Sequence, residues 1–206
     1  MDSSLIIKVC GMRETENIRA VEALGVDMMG FIFWPHSSRY VATRPHYLPC
    51  TARKVGVFVD ADIEQVKDTA DVFDLDFVQL HGHESPAYCA QLQGHQVIKA
   101  FNIATSADLS QTADYEGLAT YFLFDTKGKC AGGNGQQFDW NILMHYEGHT
   151  PFLLSGGIGP DDWERIHQFH HPRLAGIDLN SRFETSPALK DTTLLKHFLD
   201  NVKNNH

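Results

Sequence analysis

The chain of 206 residues is long enough for one well-buried core and short for two, so we expect a single domain over residues 1–206. Its 43% hydrophobic and 21% charged residues are ordinary for a globular protein and exclude a disordered chain. The net charge of -9, without a basic block, argues against nucleic acid as a partner.

Short apolar runs rich in β-formers alternate with longer amphipathic stretches along the whole chain, which is typical of a parallel sheet covered by helices. The predicted strands are residues 5–10, 27–33, 54–59, 76–80, 96–101, 121–125, 151–155 and 174–179. The predicted helical stretches are residues 14–25, 60–73, 84–94, 139–146, 159–169 and 191–203. The second crossover, residues 44–52, is predicted as a helix only weakly, because it carries two prolines.

Eight strand and helix units in a chain of this length favour a (β/α)8 TIM barrel, a fold whose chemistry lies on the loops that follow the strands. The alternative is an open doubly wound sheet, which normally carries a glycine fingerprint after its first strand. Here the first strand runs into "CGMRE", which has no such fingerprint, so the barrel is the favoured fold class.

Cysteine and histidine spacing gives no metal or disulfide pattern. Cys10, Cys50, Cys89 and Cys130 lie roughly forty residues apart without a C-x-x-C pair, which argues for reduced thiols. The pairs His81/His83 and His170/His171 lack the helical spacing of a metalloprotease. No apolar run approaches the roughly 20 residues of a membrane span, and "MDSSLIIKVCGMRE" is unlike a signal peptide, so we expect a cytoplasmic protein without a membrane partner.

Polar residues collect at the predicted strand ends, which converge on one mouth in a barrel. They are Cys10, Ser38, Arg39, Asp60, His81, Asp125, Ser155, Gly156, Gly157 and residues 178–181. Because strand side chains alternate, Lys8 points the same way as Cys10, and its charge would favour a reactive thiolate. The other interpretation is an inert buried cysteine, with Lys8 paired to an acid in the barrel core.

Two glycine clusters, residues 132–135 and 155–158, follow the sixth and seventh strands and could surround a phosphate with backbone amides. Phosphate sites of such barrels draw on the late loops and on a small extra helix, which "NSRFETSP" after the eighth strand could supply. Arg39 has the fork-shaped donor that suits a carboxylate, although it could equally be a solvated loop arginine.

These stretches resemble the phosphoribosylanthranilate isomerase family of tryptophan biosynthesis. The matching segments are "KVCGMRETENI", "GFIFWPHSSRYV", "VGVFVD", "VQLHGHES", "IKAF", "FDTKGKCAGGNGQQFDW", "PFLLSGGI" and "GIDLNSRFETSPALKD", in the order of the family and over nearly the whole chain. The resemblance implies an Amadori rearrangement of a small sugar phosphate without metal or organic cofactor.

The resemblance also implies roles for individual residues. Asp125 matches the general acid and Cys10 the general base, which requires a lowered pKa of the thiol, while Arg39 matches the ligand of the anthranilate carboxylate. The phosphate would bind near Gly133, Gly135, Gly156, Gly157, Asn180 and Ser181. Lys8, His81, Asp178 and Arg182 are predicted to support the site.

Two positions depart from the family, which often has glycine where this chain has Arg182 and "PG" where it has Pro187 and Ala188. Arg182 either adds charge to the phosphate site or points to solvent. Rival interpretations are the histidine-pathway sugar isomerase, indoleglycerol-phosphate synthase, and an inactive barrel that binds a sugar phosphate or a protein partner. The pair Cys10 and Asp125 favours the enzyme, while both a monomer and a homodimer remain open.

Overall fold

A computed structural model describes residues 5–92, 94–126 and 138–204. Eight parallel strands form a closed barrel, in which each strand pairs with the next and the last pairs with the first. The strands are β1 (Ile6–Cys10), β2 (Met28–Ile32), β3 (Arg53–Phe58), β4 (Phe77–Leu80), β5 (Gln96–Ile103), β6 (Tyr121–Thr126), β7 (Phe152–Leu154) and β8 (Leu174–Leu179). The TIM barrel is therefore confirmed, and each predicted strand agrees within two residues at either end.

The helices follow the strands along the chain. They are α1 (Thr15–Glu22), α2 (Ile63–Phe73), α3 (Pro86–Ala90), α4 (Trp163–Gln168) and α5 (Thr192–Asn204), with 3₁₀ helices at Ser106–Tyr115, Trp140–His145 and Ser181–Phe183. The stretch predicted at 139–146 is thus a 3₁₀ helix, and the one at 106–115 was not predicted. A short hairpin, β9 (Glu184–Ser186) and β10 (Leu189–Lys190), follows β8. None of these described helices has the length and apolar character needed to cross a membrane.

Strand alternation divides the core into two layers. Ile7 and Val9 of β1 pack in a cluster that also contains the helix residues Ile18 and Val66, so this layer lies between barrel and helices. Cys10 belongs to a second cluster in the barrel interior, made of Cys10, Met28, Val55, Val57, Phe77, Ile98, Ala100, Leu123 and Leu153. The expected inward direction of Cys10 follows from this alternation.

The second crossover contains no helix over residues 44–52, so that weak prediction is wrong. Its prolines remove backbone donors, and the carboxylate of Glu22 at the end of α1 organises the segment instead. Glu22 accepts hydrogen bonds from the Cys50 backbone N–H at 2.7 Å, from the Thr51 backbone N–H at 2.6 Å and from the Tyr47 hydroxyl. A side chain from the preceding helix therefore satisfies amides that a crossover helix would have paired.

We predict that Glu22→Gln lowers the free energy of unfolding by about 1–2 kcal/mol at neutral pH, because charge-assisted hydrogen bonds are lost. Burial raises the pKa of Glu22, but the hydrogen bonds from Tyr47 and Thr51 outweigh it and lower the pKa from 4.5 to about 2. A pKa lowered by folding stabilises the protein above pH 4.5, and this contribution is lost as the pH falls towards 2. Urea unfolding at a series of pH values across that range should show that the free energies of unfolding of the wild type and of Glu22→Gln become equal at acid pH.

The matched control is Glu16→Gln, since the Glu16 side chain is 88% exposed and its ion pair with Arg19 is 3.9 Å long. It should change stability little at any pH. A Glu22→Gln loss of constant size down to acid pH would contradict the proposed role of the carboxylate.

Candidate active site

One pocket at the carboxyl ends of the strands brings most of the predicted strand-end residues together, whereas Ser38 and Asp60 do not line it. Its lining includes Cys10, Arg39, His81, Asp125, Gly156, Gly157, Asp178, Asn180, Ser181 and Arg182. Lys8 lies one layer deeper and is completely buried. Gly133 and Gly135, the other predicted phosphate residues, fall outside the described residues. The described strand ends thus converge on one mouth.

Cys10 ends β1, and its side chain is 4% exposed. Gly30 of β2 lies opposite in the strand register, where a Cβ atom would sit 2.6 Å from the Cys10 sulfur. The glycine therefore leaves the room that the thiol occupies. Below it, Lys8 Nζ lies 2.7 Å from Asp178 Oδ1, and the Ser155 hydroxyl donates to Asp178 Oδ2 at 3.1 Å. Lys8 is thus paired with an acid in the barrel core and also lies beneath the thiol.

The pKa of Cys10 is raised above its ordinary value, because burial penalises the thiolate. Lys8 and Lys190 lower this pKa by their charges, and Asp178 adds to the rise. Burial outweighs the two cations, so the lowered pKa expected from Lys8 is wrong. The protonated thiol is the resting form at neutral pH.

Asp125 lies in β6 with its carboxyl group held from two sides. Oδ1 accepts a hydrogen bond from the Thr126 backbone N–H at 2.8 Å, and Oδ2 lies 3.2 Å from His81 Nε2. The second pair has an ion-pair distance but is not aligned as a hydrogen bond. Gly156, at φ 90°, passes close by, since a Cβ there would lie 3.2 Å from Asp125 Oδ1.

Gln79 orients the histidine ring. Its side-chain amide nitrogen lies 2.9 Å from His81 Nδ1 and can only donate, so Nδ1 is the acceptor of this contact. The other ring nitrogen, Nε2, is the one that lies 3.2 Å from Asp125. Gln79 was missed in the sequence, although it lies in β4 two residues before His81, the same spacing that placed Lys8 beside Cys10.

The loop that carries His81 is fixed by a buried ion pair. Lys99 Nζ lies 2.9 Å from Glu84 Oε2 and donates to the Gly82 carbonyl at 2.8 Å. Glu84 also accepts from the backbone N–H groups of Asp60 and Gly82. These contacts connect the loops after β3 and β4 and hold the backbone beside His81 in place.

Arg39, the predicted carboxylate ligand, already contacts a carboxylate of the protein. Its Nε lies 2.9 Å from Glu184 Oε1 and its Nη2 lies 2.6 Å from Glu184 Oε2. Lys190 Nζ donates to Glu184 Oε1 at 2.6 Å and to Asn180 Oδ1 at 2.8 Å. Arg39 is therefore a fixed part of the site rather than a solvated loop arginine. Glu184 and Lys190 were not predicted as site residues. Their only local signal in the sequence is an acid and a lysine six residues apart, on either side of a turn that contains a proline.

The loops after β7 and β8 form the other side of the pocket. Gly156 and Gly157 have φ values of 90° and 71°, a region that favours glycine. Residues Ser181–Phe183 form the short helix predicted after the eighth strand. Arg182 lines the pocket, and its Nε lies 3.3 Å from the position of a Cβ on Gly159. Arg182 is also exposed, so the structure leaves both expectations for it open.

A family model described as N-(5'phosphoribosyl)anthranilate (PRA) isomerase matches residues 7–201. The chain belongs to the PRA isomerase family. It is therefore an isomerase of tryptophan biosynthesis. A relative from Parabacteroides distasonis named N-(5'-phosphoribosyl)anthranilate isomerase is 52% identical over 206 residues, covering 96% of this chain and 93% of the relative.

Solved PRA isomerases share the barrel. The Thermotoga maritima enzyme has a TM-score of 0.84 at 29% identity, covering 97% of this chain and 98% of its own. A second PRA isomerase, solved with reduced 1-(o-carboxyphenylamino)-1-deoxyribulose 5-phosphate, has a TM-score of 0.82 at 28% identity, with the same coverage. A further structure describes the Thermotoga maritima enzyme as dimeric.

One departure from the PRA isomerase pattern has a clear backbone consequence. Ala188, at one of the two positions expected to depart from the family pattern, has a φ of 68°, in the left-handed region. An L-residue there costs on the order of 1 kcal/mol relative to glycine. The hairpin nevertheless holds this conformation, since the Ala188 backbone N–H donates to Glu184 Oε1 at 3.2 Å.

We predict that alkylation of Cys10 by iodoacetamide keeps accelerating as the pH rises beyond the ordinary thiol value of 9.0, because folding raises the pKa of this thiol. Peptide-resolved mass spectrometry separates Cys10 from the other cysteines. The control is the same peptide in urea, where the rate should level off near the ordinary value. The prediction would be contradicted if the alkylation rate of Cys10 levelled off at a lower pH in the folded protein than in the unfolded chain.

Proposed function

We propose that Asp125 is the general acid and Cys10 the general base of an Amadori rearrangement. The reaction converts N-(5-phosphoribosyl)anthranilate to 1-(2-carboxyphenylamino)-1-deoxyribulose 5-phosphate. One observation carries this assignment: the thiol and the carboxyl group line a single pocket that also contains a cation and glycine-rich backbone. A pure binding site would need neither a positioned acid nor a buried base.

In the first step Asp125 donates a proton to the furanose ring oxygen. The bond from C1' to this oxygen breaks, and the nitrogen lone pair forms the C=N bond of a Schiff base. Asp125 must therefore hold a proton when the substrate binds, and His81 orients the carboxyl group for this donation from 3.2 Å away.

In the second step Cys10 removes the proton from C2'. The C–H electron pair forms the C1'=C2' double bond, and the C=N electrons return to nitrogen to give an enolamine, which tautomerises to the ketone. Burial keeps the thiol protonated at rest, but the protonated Schiff base brings a positive charge to the pocket. This charge, together with Lys8 and Lys190, favours the thiolate, so the thiol releases its own proton to solvent in the pocket before it takes the proton from C2'.

The two ends of the substrate require different partners. Arg39 binds the anthranilate carboxylate, and Gly156, Gly157, Asn180 and Ser181 supply backbone donors to the phosphate. Gly133 and Gly135 belong to the same proposal, although they lie outside the described residues. Arg182 adds a positive charge at the phosphate end, and Asp178 holds Lys8 in place.

The remaining proposals concern the setting of the enzyme. The whole chain, residues 1–206, acts as one catalytic domain on a small sugar phosphate, as the ligand of the related PRA isomerase suggests. We further propose a cytoplasmic location, from the sequence arguments given above. The chain acts as a monomer or a homodimer, and the dimeric Thermotoga maritima relative favours the second.

We predict that Cys10→Ser and Asp125→Asn each slow turnover by roughly 10²-fold or more, because each removes a general acid or base. Turnover is followed as the fluorescence loss of freshly generated phosphoribosylanthranilate. Each change keeps the size of the side chain, so binding should be affected much less than kcat.

The matched control is Cys89→Ser, a buried cysteine that does not line the pocket. It should leave kcat close to that of the wild type. Wild-type binding of the substrate without fluorescence loss would contradict the isomerase reaction, whereas turnover with both variants near wild-type rate would contradict only the two roles.

A further inference from the structure

Arg39, Glu184 and Lys190 form a buried ion trio at one side of the pocket. The side chains are 13%, 5% and 0% exposed, so water screens their charges weakly. Both oxygens of Glu184 are used, Oε2 by Arg39 and Oε1 by Arg39 and Lys190. The short hairpin formed by β9 and β10 carries the last two residues, so this hairpin holds the arginine from behind.

Glu184 engages one particular edge of the guanidinium group. It takes Nε and one hydrogen of Nη2, while Nη1 has no hydrogen-bond partner among residues 5–92, 94–126 and 138–204. A guanidinium group can bind one carboxylate through Nε and Nη2 and a second through its remaining Nη hydrogens. Arg39 can therefore receive an aromatic carboxylate without releasing Glu184.

The charges of the trio do not cancel. Glu184 alone would neutralise Arg39 and leave no net attraction for an anionic ligand. Lys190 restores a net charge of +1, because one carboxylate lies between two cations. Lys190 also donates to Asn180, which lines the pocket, and so connects the trio to the loop after β8.

We propose that Glu184 and Lys190 are positioning residues for the recognition of the aromatic carboxylate. Glu184 fixes which edge of Arg39 is presented to the ligand, and Lys190 preserves the positive charge that attracts it. This inference rests on the proposed function, in which Arg39 binds that carboxylate.

The ionisation of the trio agrees with this arrangement. Burial raises the pKa of Glu184, but the hydrogen bond from Arg39 and the charge of Lys190 outweigh it, and the net pKa is lowered. Burial lowers the pKa of Lys190, against the opposing charge of Glu184. Glu184 therefore helps to keep the lysine ammonium charged.

Calorimetry with two ligands tests the inference in the full-length protein without requiring turnover. The first ligand is reduced 1-(o-carboxyphenylamino)-1-deoxyribulose 5-phosphate, and the second is the same molecule without its carboxyl group. Glu184→Gln and Lys190→Met should each weaken binding of the first ligand by roughly tenfold or more, the scale of one charge-assisted interaction. Binding of the second ligand should change by less than about threefold.

Two control variants match these changes of charge outside the pocket. Lys196→Met and Asp200→Asn alter an exposed ion pair on α5 and should leave both affinities unchanged. Should a test variant fail to fold, Lys190→Arg and Glu184→Asp keep the charges but shift the contacts. They too should weaken binding of the carboxylated ligand selectively.

The inference would be overturned if the variants bound both ligands more weakly by the same factor, or if every variant bound both with full affinity. The trio would then only support the structure of the hairpin. A different result separates this failure from that of the proposed function. If the wild type binds both ligands equally well, the proposed role of Arg39 fails, and the role of the trio fails with it.

Discussion

The buried ion pair between Lys8 and Asp178 is the interaction on which the rest of the site depends. It joins β1 to β8, the strands at which the barrel closes, through two buried side chains whose charged atoms are 2.7 Å apart. Charges so deeply buried persist only when each has a partner, because desolvation is costly. The pair thereby keeps a cation beneath Cys10, and Ser155 joins the loop after β7 to the same carboxylate. The same ion pair therefore joins the strands at which the barrel closes and places a positive charge beneath the Cys10 thiol.

The same rule applies around the pocket. Each lysine that is buried within residues 5–92, 94–126 and 138–204 meets a carboxylate, Lys8 with Asp178, Lys99 with Glu84, and Lys190 with Glu184. These acids act as fixed counter-charges and hold strand ends or loops together. Asp125 differs in that it faces a histidine, His81, at 3.2 Å rather than a buried lysine.

The sequence predicted what local patterns determine. Strand alternation located Cys10 and Lys8, and strand ends located Asp125 and Arg39, because both signals span only a few residues. It could not provide partners distant along the chain, such as Glu184, which lies 145 residues from Arg39. The raised pKa of Cys10 was missed for a related reason: spacing shows that a lysine is near but not how deeply the thiol is buried. The helix over residues 44–52 was wrongly predicted for the same reason. The residue that satisfies amides of that segment, Glu22, lies in another element, α1.

The facing pair of Cys10 and Gly30 limits how this barrel can change by mutation. The thiol occupies the space that any other residue at position 30 would fill, so the two positions are sterically dependent. A longer side chain at position 10 could use this lateral room only while glycine remains opposite. A first substitution at position 30 would instead exclude any larger side chain at position 10. In laboratory evolution of this barrel, the side chains accessible at position 10 therefore depend on a residue that has no side chain of its own.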